Sequence, residues 1–248
     1  MTTDPLAPLL ELADVAPAAQ QARERFDEAL RHRALRRHGG RVTGEVSLRS
    51  AVASAALEGY AYDREAVRAG TVTDPVLQGA LRVAGALPGL TELWPKAPRQ
   101  ALARLHVLAA RDLVPEPELG RPVADAVVAA RLDNLAALVA GGTRVSPLVL
   151  AAVVHGELLA LRPFAGPSGV VARGAARLVL LASGTDPRGL LAVDVGHHER
   201  EPEYVGSAGA FATGTPDGLR SWLRHYMTAV EAAADELTRI GDEVLAAS

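Results

Sequence analysis

Residues 146–182 read SPLVLAAVVHGELLALRPFAGPSGVVARGAARLVLLA, two apolar runs joined by a turn rich in glycine and proline. The pair Ser146-Pro147 is typical of a helix start, and apolar side chains continue from there almost without a gap to Leu161. A helix that is apolar nearly all round is buried on most sides. After the turn over residues 162–169, a second buried helix is expected over residues 170–182. We therefore expect these two helices to form the centre of the fold.

The rest of the chain repeats this pattern of apolar helical spacing broken by proline and glycine. Residues 114–122 contain three prolines and one glycine and are expected to form a loop, a flap or a short hairpin. No alternation typical of strands persists, so the predicted fold class is all-α. The first of the other predicted helices covers residues 17–37 and is expected to end at Gly39-Gly40. Another begins at Asp74-Pro75. The remaining ones are predicted over residues 44–57, 98–111, 123–139, 201–213 and 217–247.

The composition favours a globular core and excludes several classes of function. The chain has 248 residues, of which 49% are hydrophobic and 22% charged, so it can bury a core. It has no cysteine, which excludes disulfides, thiolate catalysis and cysteine-bound zinc. The net charge of −3 argues against nucleic acid or an anionic membrane as a partner. Because the sequence shows no secretory signal and no stretch of roughly 20 apolar residues, a cytoplasmic location is expected.

A basic segment, residues 31–38 with the sequence RHRALRRH, closes the first predicted helix. Cations at a helix C-terminus complement the helix dipole, which is one interpretation. A cluster of arginines also suits a surface that binds phosphate or a partner, which is the other.

The turn before the second central helix carries the clearest candidate site. Gly166, Ser168 and Gly169 lead into a helix, where backbone N–H groups and the helix dipole favour an anion. Arg173 lies one helical turn further on. The same residues also suit any tight connection between two helices, so spacing alone leaves an anion-binding site and a structural turn as alternatives.

Residues 162–173, RPFAGPSGVVAR, resemble the motif His-x-Phe-x-(Asp/Glu)-Gly-Asn-Gly-Arg-x-x-Arg of the Fic domain family. Fic proteins typically transfer AMP from ATP to a hydroxyl group of a protein. The similarity extends from about Ser47 onward. It implies a Fic-like helical domain over residues 44–248, preceded by an N-terminal helical extension over residues 1–43.

The resemblance also identifies functional groups that are missing. The family's catalytic base falls on Arg162, whose guanidinium stays protonated, so no catalytic residue is assigned. The family's acidic metal ligand falls on Gly166, so no metal site is expected. Pro167 removes one backbone donor from the anion loop, and Val170 stands where the family has its first phosphate-binding arginine.

A second motif lies far upstream of the first. Residues 54–59, SAALEG, match the pattern (Ser/Thr)-x-x-x-Glu-(Gly/Asn) of the self-inhibiting helix of many Fic proteins. In those proteins the glutamate binds the last arginine of the motif and blocks the nucleotide γ-phosphate. The resemblance therefore implies that Ser54, Glu58 and Gly59 are inhibitory residues and that Glu58 pairs with Arg173. The alternative is that Glu58 and Arg173 are ordinary surface charges.

Two segments that contain histidine are further candidates. His155 lies in the first central helix and is expected to be a core or cleft residue that is too far from Arg162 to replace the missing base. His197, His198 and Glu199 match no zinc motif and are expected to form a solvated turn.

These patterns predict a degenerate Fic-domain protein that is regulatory or acts as a scaffold, and that is impaired as a transferase. It is expected to bind a nucleotide or another anion weakly. The one cofactor suggested is ATP without Mg²⁺, and the expected partner is a nucleotide or a target protein. An active nucleotidyl or phosphoryl transferase with a replaced base is one alternative. A helical protein-interaction module that uses residues 31–38 is the other.

Overall fold

The computed structural model describes residues 4–248, within which there are twelve α-helices and no β-strand. The prediction of an all-α fold is confirmed. The helices are α1 (Val15–Ala29), α2 (Ala34–Arg37), α3 (Gly39–Ala56), α4 (Arg64–Arg68), α5 (Pro75–Ala86), α6 (Pro98–Ala110), α7 (Ala126–Gly141), α8 (Pro147–Leu161), α9 (Ser168–Ala182), α10 (Val193–Glu199), α11 (Glu201–Ala212) and α12 (Pro216–Ala246).

The two central helices are α8 and α9, which pack against each other more extensively than any other pair. Every residue of α9 from Ser168 to Leu181 is buried. Small side chains let neighbouring helices approach α9 closely. At Gly174, for example, a Cβ atom would lie 2.7 Å from the side chain of Val83 on α5. The apolar run in the sequence therefore does predict the centre of the fold.

The long helix α12 forms a second layer together with α1, α10 and α11. Its apolar face contributes Trp222, Tyr226 and Val230, all of which are fully buried. Burial of such large side chains stabilises the folded state by roughly 1.5–3 kcal/mol each. Between these layers, α3 packs on α5 and α10, and its last turn reaches the N-terminal end of α9.

The helix boundaries differ from the predictions near the N-terminus. The helix predicted over residues 17–37 is divided into α1 and α2, and Gly39-Gly40, expected to end a helix, instead begins α3. Packing explains the difference, because Val42 and Val46 of α3 are fully buried. Burying that face outweighs the cost of about 1 kcal/mol per glycine in a helix. Helix α3 is continuous across residues 43 and 44.

The hairpin considered for residues 114–122 is absent. The segment is a loop with one 3-10 turn, Glu116–Glu118. Its three prolines have no N–H to donate to a strand ladder. The loop is held instead by His106, whose Nδ1 accepts from the Gly120 N–H at 2.9 Å, while its Nε2 lies 2.8 Å from the Ala165 carbonyl oxygen.

Within residues 4–248, no helix combines the length and the hydropathy that crossing a membrane requires.

Candidate functional site

A cleft of ≈ 720 Å³ opens where the ends of α3, α8 and α9 meet one face of α11. Its apolar wall includes Leu57, Phe164 and Val205. Sequence positions more than 100 residues apart come together here, since α3 and α9 both contribute. The cleft is also lined by six of the residues singled out in the sequence: Glu58, Arg162, Gly166, Ser168, Gly169 and Arg173.

The floor of the cleft is the N-terminus of α9, and the Glu58 carboxylate lies directly against it. A Cβ atom at Gly169 would lie 2.0 Å from Glu58 Oε1, so only glycine leaves room for the carboxylate. The first N–H groups of a helix have no partner within the helix and carry partial positive charge. Glu58 therefore occupies the place where the sequence predicts an anion.

Arg173 is the centre of a hydrogen-bond network beneath this carboxylate. Its Nη2 donates to Glu58 Oε1 at 2.7 Å and to the Ser54 carbonyl oxygen at 2.8 Å. Its Nε donates to Ser54 Oγ at 2.8 Å, and its Nη1 donates to the Tyr204 hydroxyl at 3.1 Å. Its side chain is only 2% exposed. The alternative that Arg173 is a surface charge is therefore wrong, and the Glu58–Arg173 contact is present.

A second carboxylate balances the same guanidinium. Asp194 Oδ1 lies 3.7 Å from Arg173 Nε, and the Asp194 side chain is 4% exposed. The Ser50 hydroxyl donates to the other Asp194 oxygen. Burial by itself lowers the pKa of Arg173, but Tyr204, Glu58 and Asp194 outweigh it and raise that pKa above its ordinary value. Arg173 is thus a buried cation that donates four hydrogen bonds and lies beside two carboxylates.

A buried cluster of histidines and aromatic rings lies below Arg173. The Tyr204 hydroxyl accepts from Arg173 and lies 3.1 Å from His155 Nε2, so its one hydrogen is free to point at that nitrogen. His197 Nδ1 lies 3.0 Å from His225 Nε2. Desolvation holds the pKa of His155 and His197 well below the usual histidine value and lowers the pKa of His225 to about 4. His155 is a core residue, as expected.

The solvated turn expected at residues 197–199 is wrong for His197. Residues Val193–Glu199 form α10, in which His197 is 1% exposed, whereas the neighbouring His198 is exposed. Consecutive residues of a helix point about 100° apart, so one can be buried while the next is solvated. Packing of α10 on α12 decides which, since a Cβ atom at Gly196 would lie 2.3 Å from the Ala229 carbonyl oxygen.

The remaining predicted residues have different surroundings. Arg162 ends α8 with a left-handed φ of 45°, is exposed, and forms no ion pair with any residue that the structure describes. Ser168 is buried, and its hydroxyl has no hydrogen-bond partner within residues 4–248. Gly166 has a φ of 75°, which suits glycine. Gly59 does not line the cleft, but its φ of 91° lets the chain turn away after α3.

The ionisable side chains that line the cleft are Glu58, Arg162, Arg173 and Tyr204. Its carboxylate, Glu58, is bound by Arg173, and Arg162 is a cation. His155 does not line the cleft and is 1% exposed, so it is not placed to act as a base. Within residues 4–248, no group of three or more His, Asp or Glu side chains is arranged to hold a metal ion.

Comparison with known proteins gives a fold rather than a sequence family. No family model and no curated protein matches the sequence. A crystal structure of a Fic family protein from Desulfovibrio desulfuricans matches with a TM-score of 0.71 and 23% identity, over 89% of this chain and 74% of that one. The chain has a Fic-like fold.

Two further structures agree on this fold. A fragment of Fic-1 from C. elegans matches with a TM-score of 0.70 and 18% identity, over 97% of this chain and 76% of that one. A Fic domain containing signaling protein from Bacteroides thetaiotaomicron matches with a TM-score of 0.58 and 14% identity, over 91% of this chain and 98% of that one.

Within the Fic-like fold, several residues of the network were not singled out from the sequence. Ser50, Asp194 and Tyr204 all surround Arg173 or its partners, yet Asp194 lies 144 residues from the serine it contacts. Neither α10 nor the buried face of α11 has a distinctive local pattern. The one local signal is Ser50, which together with Ser54 interrupts the alanine- and valine-rich stretch of residues 50–56, since buried polar groups need partners.

Proposed function

We propose that this protein is a degenerate Fic-like protein that does not transfer AMP and acts as a regulatory or scaffolding protein. The observation that carries the proposal is the state of the cleft, in which Glu58 closes the anion site while the motif positions for the base and the metal ligand hold Arg162 and Gly166. The proposal draws its chemistry from the resemblance of residues 162–173 to the Fic motif, and its geometry from the contacts of Glu58 and Arg173.

Arg162 explains why proton abstraction is not expected. A guanidinium has five N–H donors and no acceptor site, so it can bind an anion but cannot take the proton of an attacking hydroxyl. Gly166 has no side chain to offer a hard cation such as Mg²⁺. His155 is the nearest histidine along the chain, but it is enclosed beneath Tyr204. These features argue against the alternative of an active transferase with a replaced base.

Glu58 explains why nucleotide binding should be weak. A phosphate at the start of α9 would meet the Glu58 carboxylate, which is held 2.7 Å from Arg173. Two anions at that distance from one guanidinium repel each other, and the cation is already shared with Asp194. Binding of ATP therefore requires that Glu58 leave its position between the start of α9 and Arg173, which we call the anion cradle.

The test is a thermal shift with ATP, with and without Mg²⁺, on the wild type and on Glu58→Gly. Only a protein that binds the ligand is stabilised by it. We expect no shift for the wild type, a rise in melting temperature for Glu58→Gly, and no difference between the two Mg²⁺ conditions. Glu116→Gly, which removes an exposed glutamate from the 114–122 loop, is the control and should behave as the wild type.

A transfer assay addresses the activity itself. Labelled ATP should leave no label on the protein or on added lysate proteins, for the wild type and for Glu58→Gly alike. Transfer of label by the wild type that is lost in Arg162→Ala would instead establish the active transferase.

A further inference from the structure

The surface at the start of α3 carries four arginines, at positions 31, 33, 36 and 37, on α2 and the loop before it. All four side chains are exposed, and none forms an ion pair with a carboxylate of residues 4–248. We call these four residues the arginine patch. An arginine on the preceding helix α1 behaves differently, since Arg25 binds Asp235 at 2.7 Å. Four clustered cations thus remain available to a partner.

The helix that follows adds to the positive field. Helix α3 has 18 residues, and its N-cap, His38, makes no side-chain capping bond. Gly39 and Gly40 leave open space in front of the first turn, because a Cβ atom at either position would meet nothing within 4 Å. The arginines carry the argument, and the helix end only increases the attraction for negative charge.

We infer that the arginine patch is a docking surface for a short acidic segment of a partner protein. Guanidinium groups bind carboxylates with two parallel hydrogen bonds, and arginine suits such interfaces better than lysine. The carboxylates of Asp27, Glu28 and Asp242 already contact Arg23, Arg25 and His32, respectively, and pair with none of the patch arginines. The patch is small, so a short acidic segment is long enough to contact its four cations.

Other anionic partners fit less well. Residues 27–44 contain no Phe, Tyr or Trp side chain on which a nucleobase could stack. They also contain no exposed large hydrophobic side chain that could enter a lipid surface, because Leu35 is buried. The net charge of −3 also disfavours binding of the whole protein to the extended negative surface of a nucleic acid or of an anionic membrane.

The arginine patch is separate from the cleft. Eighteen residues of helix rise about 27 Å, so the patch and Glu58 lie at opposite ends of α3. Docking at the patch therefore neither requires the cradle to open nor depends on the proposed loss of transferase activity.

The experiment measures fluorescence anisotropy of a labelled octaglutamate peptide with the full-length protein, at roughly 0.05 M and 0.5 M salt. We expect binding at low salt that weakens at high salt. Replacing all four patch arginines with alanine should reduce the affinity at least tenfold. The control replaces four exposed arginines elsewhere with alanine and should change the affinity less than about twofold. The control positions are Arg64, Arg104, Arg144 and Arg188.

Three results would overturn the inference. One is the absence of salt-sensitive binding to octaglutamate, and another is an equal loss in the patch and control variants. The third is tighter binding of a single-stranded RNA oligomer or of phosphatidylserine vesicles, which would assign the patch to nucleic acid or to lipid. Far-UV circular dichroism melts should be unchanged in both variants, because all the replaced side chains are exposed.

Discussion

Removing Arg173 should destabilise the protein much more than removing the charge of Glu58, although the two side chains form one ion pair. The perturbations are Arg173→Met, which removes the buried cation at nearly constant length, and Glu58→Gln, which removes the charge at the mouth of the cleft. The side chain of Arg173 is 2% exposed and that of Glu58 is 22% exposed. The two ends of one ion pair therefore have different access to water.

The cost of Arg173→Met follows from what is left behind. Asp194 is 4% exposed and would lose its cationic neighbour, while Ser54 and Tyr204 would lose the donor they share. Breaking a buried pair in this way costs about 3–5 kcal/mol, because a buried charge is left uncompensated.

The cost of Glu58→Gln is smaller. Arg173 keeps both bonds to Ser54, its bond to Tyr204 and the charge of Asp194. Water can also enter from the cleft. One hydrogen bond to a charged group contributes about 1.5–3 kcal/mol, and a glutamine oxygen recovers part of it, so we expect a loss of about 1–2 kcal/mol.

Urea unfolding followed by circular dichroism measures both changes. The free energy of unfolding should fall by about 2 kcal/mol more for Arg173→Met than for Glu58→Gln, a factor of roughly 30 in the unfolding equilibrium. Arg162→Met is the control, since it changes an exposed arginine of the same cleft, and should lie within about 0.5 kcal/mol of the wild type. Equal losses for the two pair variants, or a larger loss for Glu58→Gln, would refute the network described here.

Two further predictions concern pH and close packing. Burial lowers the pKa of three histidines in the folded protein, namely His155, His197 and His225. Because the unfolded chain then binds protons more readily than the folded protein, the stability that these groups provide is present above pH 6.5 and is lost as the pH falls. From His225 alone, with a pKa of about 4, the free energy of unfolding should fall by about 2 kcal/mol between pH 7 and pH 5, and urea titrations at the two pH values that gave equal stability would contradict this. Gly196→Ala should destabilise the protein by at least 1–3 kcal/mol, because its Cβ would lie 2.3 Å from the Ala229 carbonyl oxygen. Gly206 lies in the middle of α11 with open space around it, so Gly206→Ala should instead stabilise the protein by about 0.5–1 kcal/mol. Melting temperatures of the two glycine variants that moved in the same direction would contradict these two predictions.

Much of the fold could be predicted from local sequence. Helices α5, α8 and α12 begin within a residue or two of the predicted positions, because Asp74, Ser146 and Thr215 cap them just before a proline. Such signals depend only on residues that are adjacent in the chain. Gly39-Gly40 misled the prediction, because the energy of burying one face of α3 depends on neighbours that local pattern does not reveal.

The candidate site divides in the same way. The motifs at residues 54–59 and 162–173 indicated Glu58 and Arg173, whereas Asp194 and Tyr204 gave no local signal. Helix α10 is seven residues long and would not persist alone in water. Its position, and hence that of Asp194, depends on packing against α3 and α12.

The sequence by itself determined the helical class, the central pair α8 and α9, and the residue types of the motif, since periodicity, capping and chemistry are properties of short segments. Only the tertiary structure decided that Glu58 lies in the anion cradle, that Arg173 is enclosed by two carboxylates, and that the histidines are sealed beneath it. Those features depend on contacts between different segments, across 115 residues for Glu58 and Arg173 and across 49 for His155 and Tyr204. The distances between these segments are fixed by burial of the whole apolar core and by no local rule.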